Sequence, residues 1–181
     1  SLGAGILVNV SGNDTYNAGP AWHSEDSSKL DLSVFTQGAS VGFQAKDTSR
    51  IMSLYGGIGF LVDANGDDQY LASKFSQGAA RFAALGMLLD SHGNDGYQST
   101  GYSQATAMDW SSACLVDQHG NDWYQCTDSG QGCAVHSSSS FFLDYSGDDL
   151  YIVQGMHGQG HARESAASAF FLDYNGYDHY R

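Results

Sequence analysis

The sequence predicts an all-β fold, a parallel β-helix (β-solenoid) of about six coils with a 27-residue repeat. The first observation behind this prediction is a recurring motif, represented by CLVDQHGNDWY at residues 114–124, in which an apolar triplet precedes Asp, a glycine turn, a second Asp and Tyr. The second is its spacing, because motif glycines recur every 27 residues at Gly66, Gly93, Gly120 and Gly147. The third is a glutamine with the same spacing, at Gln77, Gln104 and Gln131.

The content of the repeat selects the β-helix among repeat architectures. Each apolar triplet is short, contains β-branched, aromatic or other large apolar residues, and is followed at once by a glycine turn, as expected of a strand that ends in a turn. No unit contains an apolar pattern of helical period long enough for the paired helices of an α-solenoid. A propeller blade needs about 40 residues for its four strands, which exceeds the period. We therefore expect short strands joined by turns, with coils stacked about 4.8 Å apart.

The N-terminal third of the chain departs from the period. Residues 1–16 form the end of one coil, in which Asn9 replaces the first Asp of the motif. Across residues 17–58, the intervals from Tyr16 to Gln37 and from Gln37 to Asp63 exceed the regular intervals by 14 and 13 residues. Because the two excesses together equal one period, this segment is either a single coil with two inserted loops or two coils of which one has lost its motif.

Residues 59–181 are predicted to be regular coils of the same single domain. The last coil is two residues longer than the others and contains His157 and His161. The chain stops at Arg181, one residue after its last motif tyrosine, and an uncapped solenoid end exposes unpaired backbone groups. We therefore predict that residues 1–181 belong to a longer chain, or associate end to end with flanking repeats or other copies.

Charge narrows the range of partners. The chain has 20 acidic and 7 basic residues, for a net charge of −13, which argues against nucleic acid and anionic membranes as partners. No apolar run approaches the roughly 20 residues that a membrane-spanning helix needs, so we expect no membrane insertion. Cations are the natural partners of such a chain.

Stacked coils align the aspartates of the motif into ladders. Carboxylates about 5 Å apart repel each other by about 1 kcal/mol in water and by more at a poorly hydrated surface, so a cation is expected to offset the repulsion. Calcium takes six to eight oxygen ligands, which turns rich in Asp, Asn and Gly supply. The sequence thus predicts calcium as a cofactor, with thirteen candidate ligands: Asp14, Asp63, Asp67, Asp68, Asp90, Asp95, Asp117, Asp122, Asp144, Asp148, Asp149, Asp173 and Asp178.

The GND and GDD turns that precede a strand resemble the calcium-binding β-roll repeats of secreted bacterial proteins, the RTX type. Those repeats are nonapeptides with a double glycine, whereas this unit is three times as long, lacks the double glycine and has Tyr after the Asp. The resemblance covers the motif rather than the whole repeat. It implies calcium binding and an extracellular or cell-surface location.

A second interpretation needs no metal. Each Asp caps its own turn by accepting backbone N–H groups, and Asn9 indicates that this role does not require a charge. In both interpretations the glutamines are expected to form a ladder of amides bonded to one another, and the tyrosines to stack.

The function that these patterns favour is a non-enzymatic structural or interaction module, stabilised by calcium at its turns. The alternative is a carbohydrate-binding or carbohydrate-cleaving β-helix, because glycans are bound by loops on rigid scaffolds. Its site would lie in residues 17–58, which contain Trp22, or near His157, His161 and Glu164. No HExxH, P-loop or nucleophile-elbow motif supports an enzyme.

Overall fold

The computed structural model describes residues 3–18, 35–46 and 52–181, and within them it contains nineteen strands and no helix. This described part of the chain therefore contains no helix that could cross a membrane. The strands are β1 (Gly3–Val8), β2 (Thr15–Asn17), β3 (Ser40–Val41), β4 (Phe43–Lys46), β5 (Met52–Tyr55), β6 (Gly57–Asp63), β7 (Gln69–Leu71), β8 (Ala80–Arg81), β9 (Leu85–Asp90), β10 (Gly96–Ser99), β11 (Ala107–Met108), β12 (Ser112–Asp117), β13 (Trp123–Cys126), β14 (Ala134–Val135), β15 (Ser139–Asp144), β16 (Leu150–Val153), β17 (Ala162–Arg163), β18 (Ser168–Asp173) and β19 (His179–Tyr180).

Three parallel sheets run along the stack. Sheet 1 has the order β1-β6-β9-β12-β15-β18, sheet 2 the order β2-β7-β10-β13-β16-β19, and sheet 3 the order β3-β8-β11-β14-β17. Equivalent residues of consecutive repeats pair directly, as Tyr97 does with Tyr124 and Asp90 with Asp117. The prediction of an all-β parallel solenoid with a 27-residue repeat is thus confirmed, and the six strands of sheet 1 bound five turns.

The irregular segment is one turn with two insertions. β1 pairs in register with β6, 54 residues later, so only one turn separates them. One insertion lies between β2 and β3, and its residues 19–34 lie outside the described part of the chain. The other contains the antiparallel hairpin β4–β5. The local sequence left this choice open because it does not reveal which strand β1 pairs with.

Equivalent positions of each turn contribute side chains to the core. Sheet 1 contributes Leu61, Leu88, Leu115 and Phe142, all buried, and sheet 2 contributes a column of tyrosines. Their rings stack as predicted, with centroids 4.7 Å apart between Tyr97 and each of Tyr70 and Tyr124. The stacked rings fix the spacing between turns, and they place the hydroxyls of this tyrosine column at the corner between sheets 1 and 2.

The glutamine prediction was wrong in its partners. The Nε2 of Gln77 donates to the backbone carbonyls of Tyr70 at 2.7 Å and of Gln98 at 3.2 Å, and Gln104 repeats this pattern one turn later. Each of these glutamines has a positive φ in a tight turn, 51° at Gln77 and 49° at Gln104. That conformation directs the amide towards backbone carbonyls instead of towards the next glutamine.

Candidate cation site

Two columns of aspartates line the inner corner between sheets 1 and 2. The first column ends the strands of sheet 1, at Asp63, Asp90, Asp117, Asp144 and Asp173. The second column immediately precedes the strands of sheet 2, at Asp14, Asp68, Asp95, Asp122, Asp149 and Asp178. We call these eleven residues the inner aspartate row.

A motif glycine allows consecutive turns to approach closely at this corner. A Cβ atom on Gly93 would lie 1.7 Å from the carbonyl oxygen of Gly66, and one on Gly120 would lie 1.9 Å from that of Gly93. Any side chain at these positions would therefore collide with the backbone of the preceding turn. The glycine keeps the carboxylates of neighbouring turns within reach of one another.

Tyrosine hydroxyls hold the first column. In four of the six motif copies the tyrosine hydroxyl donates to the first-column aspartate of the next turn, at 2.6 Å from Tyr70 to Asp90 and at 2.7 Å from Tyr97 to Asp117. The side chains of these last two pairs are all fully buried. The sequence analysis predicted stacking for the tyrosines but not this hydrogen bond. A signal for it exists, because the six motif copies all have Tyr at this position and none has Phe.

Backbone amides hold the second column. From Asp68 onwards, the Oδ1 of each second-column aspartate accepts the N–H of its counterpart in the preceding turn, at 2.6 Å from Asp68 to Asp95 and at 2.7 Å from Asp95 to Asp122. These bonds run between turns, so they occupy one oxygen of each carboxylate and leave the other. Capping within a turn, the interpretation without a metal, occurs in the first column, where Asp63 Oδ1 accepts the Asn65 N–H at 3.1 Å.

The two columns interlock into five overlapping groups of three aspartates. In each group, carboxylate oxygens of one aspartate from a turn and two from the next all lie within 4.8 Å of one another. The three central groups consist only of buried residues, and each group could hold a metal ion. The groups are Asp14-Asp63-Asp68, Asp68-Asp90-Asp95, Asp95-Asp117-Asp122, Asp122-Asp144-Asp149 and Asp149-Asp173-Asp178.

Several oxygens of the row are buried without a hydrogen-bond partner. In the first column these are the Oδ1 atoms of Asp117, Asp144 and Asp173. In the second column they are the Oδ2 atoms of Asp68, Asp95 and Asp122. A buried carboxylate oxygen without a donor is costly, and a positive charge or a proton between the columns would remove that cost.

The environment of the row raises the pKa of its carboxyl groups. Burial, together with the nearby charges of Asp90 and Asp117, raises the pKa of Asp95 to about 8, against the lowering effect of the hydrogen bond from the Asp68 N–H. Burial likewise raises the pKa of Asp90 to about 6 and that of Asp122 well above its usual range. Among the described residues, the basic side chains in ion pairs contact Asp109, Asp128 and Glu164, none of which belongs to the row.

Two of the thirteen predicted ligands lie outside these groups. Asp67 and Asp148 are exposed and belong to an outer ladder, in which each side-chain oxygen accepts a backbone N–H of the next turn. Asp67 accepts from Asn94 at 2.8 Å, and Asn94 accepts from Asn121 at 3.0 Å. Neighbouring positions of the turn thus face opposite sides, and the outer one is held by Asp or Asn alike.

The first turn contains a residue that the ligand prediction omitted. Asn9 occupies the position of the first column, and its Nδ2 donates to Asp14 Oδ2 at 2.6 Å. An amide therefore meets a carboxylate here without a cation. The Asn in an otherwise acidic column was visible in the sequence, but its partner was not.

The residues of the carbohydrate alternative are only partly brought together. The rings of His157 and His161 lie 4.9 Å apart, and His157 Nδ1 is 3.5 Å from Asp128 Oδ1. Glu164 instead contacts His136. Trp22 lies outside the described residues. No protein-family model, no curated protein and no solved structure matches the chain.

Proposed function

We propose that this chain is a non-enzymatic structural module of an extracellular or cell-surface protein, whose solenoid is stabilised by calcium ions bound along the inner aspartate row. The observation that carries the proposal is the set of buried, unpartnered carboxylate oxygens on both columns. Hydrogen bonds between consecutive turns satisfy one oxygen of the second-column aspartates and leave the other. The remaining oxygens need a positively charged ligand.

Charge favours a divalent ion over a monovalent one. The row contains eleven carboxyl groups in five overlapping groups. One divalent ion in each group neutralises the row to within one charge, whereas monovalent ions leave more than half of the negative charge in a buried corner.

Ligand type and setting favour calcium. All of the ligands are oxygens, which argues against zinc, and magnesium retains water molecules that a buried corner accommodates poorly. Calcium sites with dissociation constants of about 10⁻⁴ to 10⁻³ M are typical of extracellular modules. The RTX-like turns agree with this location.

Thermal unfolding at pH 8 in millimolar calcium and in EGTA tests the proposal. Calcium at 10 mM is present at 100 times a dissociation constant of about 10⁻⁴ M and stabilises the folded state by about 2.7 kcal/mol. For a chain of this size, that gain corresponds to a rise in Tm of about 5–10 °C. We expect such a rise in calcium and its reversal by EGTA, followed by circular dichroism.

Two variants with the same chemical change separate the row from the surface. Asp122→Asn removes a carboxylate shared by two groups and should reduce the calcium-induced rise in Tm. Asp148→Asn removes the same charge from the exposed outer ladder and should leave the rise unchanged. A wild-type Tm that is the same in calcium and EGTA would show the proposal to be wrong, and would identify shared protons as what neutralises the row.

A further inference from the structure

Two of the three outward columns of sheet 1 are apolar in all six strands. Side chains alternate along each strand, so that Leu88 and Leu115 point into the core while Met87 and Cys114 point outwards. The third outward column lies at the start of the strands and contains Ser112, Ser139 and Ser168. The two apolar columns follow the stack. One contains Ile6, Phe60, Met87, Cys114, Phe141 and Phe170, and the other contains Val8, Val62, Leu89, Val116, Leu143 and Leu172. We call these twelve residues the apolar face.

Large side chains of this face are exposed to solvent. Phe141 is 38% exposed, Phe170 43% and Leu172 41%, and the rings of the two phenylalanines stack with centroids 5.1 Å apart. Tyr145 and Tyr174 extend the face by one residue beyond the strands, and their rings also stack, at 4.9 Å. Both stacks join the last two turns of the solenoid.

The apolar face carries no charge in a chain of net charge −13. The outer face of sheet 2 is more polar, because its positions include Gln69, Gln98 and Gln125, although these residues are also uncharged. A basic partner would be attracted to the acidic surfaces rather than to this one. Two copies of an acidic chain repel each other least where neither carries charge, so a second copy fits this face.

The size of the face suits a dimer. Six strands about 4.8 Å apart, each about six residues long, give the whole outer face of sheet 1 roughly 29 Å by 20 Å, or about 580 Å² per copy. Two copies would bury roughly 1,200 Å² together, which lies at the lower end of the range of specific interfaces.

We propose that two copies of this chain pack face to face through the apolar face and form a two-fold symmetric dimer. Flat sheets pack in this way about 10 Å apart, with their side chains interdigitated. A two-fold axis through the face places identical columns against each other, so the same surface serves both copies. The dimer requires no residue of the inner aspartate row, and the proposal is independent of calcium binding.

Sedimentation velocity and light scattering coupled to size exclusion test the proposal. We expect the wild-type protein at about 50 µM to have twice the 19.3 kDa mass of one chain. Phe141→Asp places a charge on the apolar face and should give the monomer mass. Leu150→Asp makes the same kind of change on the outer face of sheet 2 and should leave the dimer intact. A monomeric wild type, or a Phe141→Asp dimer, would overturn the proposal.

Cross-linking of the wild-type protein provides a second test that does not depend on the folding of a variant. Cys114 lies next to the centre of the apolar face and is partly exposed, whereas Cys126 and Cys133 are buried, and all three are free thiols. A short bifunctional maleimide should therefore link the two Cys114 residues of a dimer, and the product should be absent in Cys114→Ala. The same yield of cross-linked product in Cys114→Ala, or none in the wild type, would contradict the face-to-face arrangement.

Discussion

The first turn and the central turns differ in how the two motif side chains at the corner between sheets 1 and 2 are paired. In the first turn, Asn9 donates to Asp14 Oδ2 at 2.6 Å, and the pair satisfies itself. In a central turn, Asp117 and Asp122 occupy the equivalent positions, and Asp117 Oδ1 and Asp122 Oδ2 are both buried without a donor. The backbone of the turn therefore does not require two carboxylates. What the second carboxylate adds is the capacity to bind a positive charge.

Burial sharpens the contrast. Asn9 and Asp14 are partly exposed, whereas Asp117 is fully buried and Asp122 is 3% exposed. Water can screen the first pair, but it cannot reach the second. The stability of the central turns should therefore depend on cations and protons more than that of the first turn.

The largest expected effect of this difference is on the pH dependence of stability. Burial raises the pKa of Asp95 from 3.8 to about 8, so the folded state retains a proton that the unfolded chain releases near pH 4. This contribution is present in full below about pH 4 and is lost as the pH rises through about 8. In this range the folded state holds one proton more than the unfolded chain. The free energy of unfolding therefore falls by about 1.4 kcal/mol for each unit that the pH rises, or by about 3 kcal/mol between pH 5 and pH 7.

Urea denaturation in calcium-free buffer at pH 5, 6 and 7 measures this fall. In millimolar calcium the fall should be smaller, because bound ions replace the protons as the positive charge. If the calcium-free protein became more stable between pH 5 and pH 7, the central carboxylates would be ionised in the folded state and the contrast with the first turn would disappear.

Replacing a first-column aspartate of a central turn by the Asn found in the first turn should have a smaller effect on stability, and this effect should be an increase. In Asp117→Asn, the amide Oδ1 accepts from the Tyr97 hydroxyl, and Nδ2 donates to Asp122 Oδ2, as Asn9 does to Asp14. At pH 8 without calcium, we expect the free energy of unfolding to rise by about 1–2 kcal/mol. Asp67→Asn, in the exposed outer ladder, is the matched control and should change stability by less than about 0.5 kcal/mol.

In millimolar calcium the wild type should be more stable than Asp117→Asn, the reverse of their order without calcium. The variant lacks one carboxylate of the Asp95-Asp117-Asp122 group, so millimolar calcium should raise its Tm less than that of the wild type. An Asp117→Asn protein that is less stable than the wild type in EGTA would mean that the two carboxylates already satisfy each other.

The period made the fold predictable, and the site was predictable only in part. Matched spacing of Gly, Asp and Gln specifies stacked turns, because only in-register stacking gives equivalent residues equivalent surroundings. The spacing does not predict the direction of a side chain inside a tight turn. Asp67 and Asp68 are adjacent in the sequence, yet one is exposed and the other fully buried, and the positive φ that redirects Gln77 has no signature in the period. These details depend on backbone angles rather than on spacing.

The smallest expected effect comes from the reverse exchange, Asn9→Asp. This substitution removes the amide donor to Asp14 and creates a carboxylate pair like those of the central turns. Because both side chains are partly exposed, water screens the added charge, and at pH 8 in EGTA we expect a loss of less than about 1 kcal/mol. Calcium should raise the Tm of the variant more than that of the wild type, since a further group of aspartates becomes available. A loss in EGTA as large as the gain from Asp117→Asn would show that position in the repeat, rather than burial, sets the cost of a carboxylate pair.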